Sequence, residues 1–79
     1  MQDLRLNQGT KEIKVFTPYS LAEAEEIIEY LKLNPLILNV KGLKPNLVQR
    51  FLDLMSGAVS ALDKNVCVLD KDNYLFLGK

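Results

Sequence analysis

The side chains that could do chemistry in this chain are few and scattered. Glu23, Glu25, Glu26 and Glu29 crowd one short stretch, and paired carboxylates are the raw material of a divalent-cation site or an acid–base couple. There is no histidine to join them. At helical spacing these carboxylates fall away from Leu21, Ala24, Ile27, Ile28 and Leu31, which makes them the wet face of a helix. The loop Lys41-Gly42-Leu43-Lys44 has a glycine among lysines but lacks the spaced glycines and the Ser/Thr that hold nucleotide and magnesium. Asp70-Lys71-Asp72-Asn73 resembles a fragment of a calcium loop without its defining glycine and distal glutamate, and reads as a hairpin turn. The one cysteine, Cys67, lies in the apolar run Val66-Cys67-Val68-Leu69, where a small buried thiol is expected rather than a nucleophile or ligand. With no cysteine pair, no nucleophile elbow and no aromatic–basic interleaving, no catalytic set, cofactor site or metal site is expected. What remains is a non-enzymatic interaction module.

Seventy-nine residues make one small domain. At this size only roughly 60% of the unfolded chain's surface can be buried, so a single copy is marginal and a partner subunit would relieve it. Ten basic residues balance ten acidic ones, leaving no field to gather phosphates or draw the domain onto anionic lipid. Nucleic acid is therefore not an expected partner. A lone cysteine precludes an intrachain disulfide and fits a reducing compartment. No apolar run approaches ~18 residues and no signal-peptide pattern opens the chain, so a cytoplasmic domain is expected.

The elements that must position these residues follow from period and punctuation. Residues 1–10 read as a flexible tail or a short edge strand, and residues 11–79 as the folded core. A strand over 11–17, with Ile13, Val15 and Phe16 as β-formers, stops at Pro18. Ser20 and Glu23 form a capping-box pattern that starts a helix at residue 21, and Asn34-Pro35 breaks it. Residues 36–40 form a second strand, apolar on both faces and so central in its sheet. Pro45 suits the first turn of a long helix running to about residue 62. Strands over 66–69 and 73–78 follow, joined by Asp70-Lys71-Asp72. The fold expected is a two-layer α/β sandwich, two helices on a four- to five-stranded mixed sheet.

The long helix carries two sets of residues that one core cannot explain. Leu47, Phe51, Met55, Ala58 and Leu62, flanked by Val48, Leu52 and Val59, make a broad apolar arc for the sheet. Beside it runs a strip of Arg50, Leu54, Gly57 and Ala61. A helical glycine costs about 1 kcal/mol relative to alanine, and close approach of another backbone is the usual compensation. Strands with apolar residues at odd and even positions alike require helices on both faces of the sheet, or a second subunit on one of them. A homo-oligomer is expected, with Leu54, Gly57 and Ala61 at an interface. A small-ligand-sensing dimer domain is the alternative that this architecture also hosts.

The segment Leu52-Asp53-Leu54-Met55-Ser56-Gly57-Ala58-Val59-Ser60-Ala61-Leu62 resembles the hydrophobic-Asp-Phe-x-Ser-Gly-x-x-x-Ala-Leu signature of the SepF cell-division family. Ser20-Leu21-Ala22-Glu23-Ala24-Glu25-Glu26-Ile27, Pro35-Leu36-Ile37-Leu38-Asn39-Val40 and Tyr74-Leu75-Phe76-Leu77 are similar to its first helix, its proline-led second strand and its closing strand. The resemblance implies a division-ring component at the inner face of the membrane that dimerises, polymerises and binds the C-terminal tail of FtsZ. It places that tail beside the long helix at Gln49, Arg50, Leu54 and Met55, where the family's usual Lys and Phe are replaced. Family members reach the membrane through an N-terminal amphipathic helix, and Met1 to Thr10 has neither the length nor the amphipathicity to serve as one.

Overall fold

The computed structural model describes residues 13–78. The expectations for residues 1–10, and for a first strand beginning at residue 11, lie outside the described residues. β1 (Lys14–Phe16) is followed by a 3-10 turn (Leu21–Glu23) that runs into α1 (Ala24–Leu31). β2 (Leu36–Asn39), a second 3-10 turn (Val40–Gly42), α2 (Pro45–Leu62), β3 (Asn65–Val68) and β4 (Asn73–Leu77) complete the order.

Each boundary has a local cause. The Tyr19 and Ser20 amides both donate to Glu23 Oε2, at 2.7 and 3.1 Å, which occupies donors that the start of a helix leaves unpaired. At the other end of α1 the Asn34 amide donates to the Tyr30 carbonyl at 3.0 Å, and Pro35 turns the chain into β2. Pro45 occupies the first turn of α2, as its missing N–H allows. Asp63 ends α2 in the left-handed conformation, φ 59°. Its amide donates to the Ser60 carbonyl and that of Lys64 to the Val59 carbonyl, at 3.3 and 2.9 Å, the two bonds of a Schellman cap.

The sheet order is β1-β2-β4-β3. β1 is parallel to β2, while β4 is antiparallel to both β2 and β3, so β3 runs in the same direction as β1 and β2. Both crossovers, β1-α1-β2 and β2-α2-β3, therefore step the same way across the sheet. Crossovers of one hand that step one way deliver their helices to one face. The core bears this out: Leu36, Leu38 and Phe76 from that face meet Ala24, Ile27 and Leu31 of α1 and Phe51 and Met55 of α2, closed by Val40 and Leu43. The architecture is the expected two helices on a mixed sheet, here of four strands, with β2 in the interior.

Among the described residues nothing covers the other face. Pairing aligns Val15, Ile37, Leu75 and Cys67 in one row across all four strands, beside an Asn39–Asn73 side-chain hydrogen bond of 2.8 Å. Cys67 corrects an expectation: it is exposed, not buried. The apolar run around it forms an edge strand beyond the reach of the helices, in which all four residues are exposed. One contact does constrain a glycine. A Cβ on Gly42 would lie 2.8 Å from the Pro18 carbonyl oxygen and 2.8 Å from the Tyr19 ring, so the second 3-10 turn closes against that loop only without a side chain.

Candidate functional site

At about 100° per residue, α2 presents three separate faces. Phe51 and Met55 point into the core and are buried. Gln49, Leu52 and Ser56, one flank away, form a wall facing the last two strands. Arg50, Leu54, Gly57 and Ala61 lie on the opposite flank, all exposed. Among the described residues, its own helix backbone and chain neighbours aside, nothing comes within 4 Å of the position a Gly57 Cβ would take. Packing of α2 against another described element therefore does not account for that glycine.

Between the first wall and the sheet runs an open groove of ≈ 290 Å³. Its floor and far side are Val66 and Val68 of β3 and Tyr74 and Phe76 of β4. The register explains the convergence, because Val66 opposes Phe76 and Val68 opposes Tyr74, so all four side chains stand on the helix side of the hairpin. α2 covers Phe76, which is 2% exposed, and stops short of β3, leaving Val66 and Val68 47% and 66% exposed. Gln49 and Ser56 are the polar groups on the helix wall. The Gln49 side-chain amide donates to Asp53 Oδ1 at 2.9 Å.

The β3–β4 turn that holds the far wall is tied by one carboxylate. Asp70 Oδ1 accepts from the Asp72 amide at 2.8 Å, the Asn73 amide at 2.9 Å and Asn73 Nδ2 at 3.0 Å. The Asp72 amide, then the Asn73 side chain, hold the Asp70 carboxyl below its ordinary pKa, because both favour the ionised form. The turn expected from Asp70-Lys71-Asp72 is thus an Asx-type turn with a named anchor.

The sequence-derived site residues divide among these faces. Gln49 lines the groove. Arg50 and Leu54 stand on the opposite flank with Gly57 and Ala61. Met55 is 0% exposed and offers no surface to a ligand, which corrects its assignment as a peptide contact: it occupies the centre of the arc that the sheet buries. Leu54, by contrast, is exposed, on the flank it shares with Arg50, Gly57 and Ala61. The remaining groove residues, Leu52, Ser56, Val66, Val68, Tyr74 and Phe76, were not singled out from sequence. Their signal was the alternation of Val66/Val68 and Tyr74/Phe76, which becomes readable as one wall only once β3 is known to lie beyond β4.

This arrangement can hold apolar side chains of an extended segment, with hydrogen bonds at the helix rim. Among the described residues no group of three His, Cys, Asp or Glu side chains converges as metal ligands. No helix among them is long and apolar enough to cross a membrane.

Comparison with known proteins decides the family. The family model described as Cell division protein SepF matches residues 13–78, the whole of the described domain. The chain belongs to the SepF family of cell-division proteins. It is 38% identical over 55 residues to SepF of Alkaliphilus metalliredigens, covering 68% of this chain and 37% of that protein. It is 37% identical over 60 residues to SepF of Alkaliphilus oremlandii, covering 72% and 41%. To SepF of Natranaerobius thermophilus it is 36% identical over 70 residues, covering 87% and 41%. The chain thus spans about two fifths of the length of the SepF relatives it matches.

Proposed function

We propose that this domain is a non-enzymatic adaptor of the division ring that binds the C-terminal tail of FtsZ and associates with copies of itself. The observation that carries the peptide half is the uncovered apolar groove between α2 and β3, in a domain of a cell-division family. An extended tail would lie along α2, its apolar side chains on Leu52, Val66 and Val68 and its backbone within reach of Gln49 and Ser56. Arg50, on the far flank, is not part of this site. The self-association half is supported by the strip of Leu54, Gly57 and Ala61, where a Cβ on Gly57 would meet open space among the described residues. It is supported again by the apolar row on the open sheet face. In this reading the adaptor works at the division site on the inner face of the membrane, and a segment outside the described domain supplies the anchor.

The test is fluorescence anisotropy of a labelled FtsZ C-terminal peptide. Ser56 is exposed and lines the groove, so Ser56→Arg should fill the site without disturbing the fold. The expected result is saturable binding by the natural chain and at least about ten-fold weaker binding by the variant, roughly 1.4 kcal/mol. No saturable binding, or equal binding by both, would count against the groove. For self-association, Gly57→Lys should lower the mass seen by light scattering at an unchanged circular-dichroism spectrum. An unchanged mass would remove the strip from the interface.

A further inference from the structure

The two edges of the sheet are not alike. β1, at one edge, carries Lys14 and runs into Pro18, and charge and proline are the usual means of keeping an edge from pairing. β3, at the other, is Asn-Val-Cys-Val: no charge, no proline, and an unbroken register with β4 from Asn65 to Val68. The Leu69 amide donates to the Asn73 carbonyl at 2.9 Å, which fixes the phase of the ladder. Hydrogen-bonded pairs alternate in an antiparallel ladder, so Asn65, Cys67 and Leu69 turn their backbone groups to β4 while Val66 and Val68 turn theirs outward. Among the described residues no strand pairs with this outward edge, which leaves it a short template for one.

We propose that a second copy of this chain supplies that strand, β3 pairing with β3 antiparallel about a two-fold axis at Cys67, so that two four-stranded sheets become one continuous sheet. The sequence around Cys67 is complementary to its own reverse. In this register Val66 opposes the partner's Val68, Asn65 opposes the partner's Leu69, and Lys64 opposes the partner's Asp70. Lys64 and Asp70 flank the paired strands rather than lie in them. The Asp70 carboxylate stays tied within its own turn, and Lys64 Nζ donates to the Lys32 carbonyl at 3.3 Å. The register thus brings opposite charges to the same end of an uncharged centre without requiring a direct ion pair. An axis at Val68 would set Val66 against the partner's Asp70, and an axis at Val66 would leave Lys64 facing the partner's Val68. Only the Cys67 axis satisfies both the charges and the outward amides. On the helix side, the exposed Val66 and Val68 close on the partner's Val68 and Val66, and the two grooves become neighbours across the axis. On the open side, the row of Val15, Ile37, Leu75 and Cys67 continues into its own copy. This interface is separate from the α2 strip and does not rest on the peptide reading.

The pairing makes Cys67 and the partner's Cys67 a non-hydrogen-bonded pair, with Cα atoms about 4.5 Å apart, inside the ~4.4–6.8 Å span of a disulfide. The 79-residue chain treated with diamide should form a covalent dimer, two thiols giving one S–S bond while diamide takes up the two electrons and two protons. A Cys67→Ser, Val68→Cys double variant moves the thiol out of register and should cross-link at least about ten-fold more slowly, given how steeply disulfide formation depends on Cα separation. In reduced protein at dimer-forming concentration, the outward Val66 and Val68 amides should exchange at least about ten-fold more slowly than in dilute monomer. Lys64→Glu, which sets like charges at both ends, should lower the dimer fraction in sedimentation, while the melting curve of the dilute monomer reports separately the loss of the Lys64 Nζ hydrogen bond to the Lys32 carbonyl. Equal cross-linking at positions 67 and 68, unprotected Val66 and Val68 amides in the associated protein, or a dimer fraction indifferent to Lys64→Glu would each overturn the proposal. These measurements are made without FtsZ peptide, because Val66 and Val68 also line the groove, so failure of the pairing and failure of peptide binding are read separately.

Discussion

Leu36 and Leu38 of β2 and Val66 and Val68 of β3 are alternate residues on the same face of the same sheet, and they meet opposite fates. The leucines are 0% exposed beneath α1 and α2, whereas the valines are 47% and 66% exposed. Nothing in their chemistry separates them. The difference is position: β4 is inserted between β2 and β3, which carries β3 one strand beyond the cover of α2. One half of the domain therefore spends its apolar side chains on its own stability, and the other half keeps them available for partners.

Matched substitutions measure that difference. Leu38→Ala should cost about 2–5 kcal/mol, seen as a large drop in the melting temperature, whereas Val68→Ala should stay within about 0.5 kcal/mol. Comparable losses at the two positions would erase the distinction. Gly42→Ala comes next, because the new methyl group meets the Pro18 carbonyl and the Tyr19 ring; overpacking of this kind costs about 1–3 kcal/mol. Gly57 belongs to the partner-facing half, with open space around it. Gly57→Ala should therefore stabilise the dilute monomer by about 0.4–1 kcal/mol in urea denaturation, opposite in sign to Gly42→Ala.

The smallest effect concerns the turn that presents β3. The pKa of Asp70 is depressed in the fold, so its contribution is present above the unfolded carboxylate pKa of about 3.9 and is lost as pH falls through the lower folded value. Asp70→Asn should flatten the acid limb of the stability curve slightly and leave stability at neutral pH nearly as insensitive to pH as before. An acid limb identical in both proteins would show that the turn's hydrogen bonds do not depend on the carboxylate charge.

Much of this was legible from residue order alone. Pro18, Ser20 with Glu23, Asn34-Pro35 and Pro45 punctuate the chain where the elements begin and end, because each acts through its own backbone. The broad arc of α2 was legible from spacing, and Phe51 and Met55 are indeed its buried centre. What spacing could not reveal was which strand lies at the edge. Val66-Cys67-Val68-Leu69 has the composition of a buried strand, and only the insertion of β4 beside β2 puts Cys67 in solvent. The same insertion creates the groove, so its strand wall was hidden until the sheet order was known. Met55 shows the finer error: adjacent to Leu54 in sequence, it lies about 100° away on the helix, in the core, while Leu54 is exposed.

The most direct measurement is an amide-resolved NMR titration of the 79-residue chain with an FtsZ C-terminal peptide. The account predicts saturable shifts concentrated at Gln49, Leu52, Ser56, Val66, Val68 and Tyr74, with Leu36, Leu38 and the α2 strip at Leu54 and Ala61 unmoved. Shifts centred on Arg50, Leu54 and Ala61 instead, or no saturable shifts at all, would contradict it.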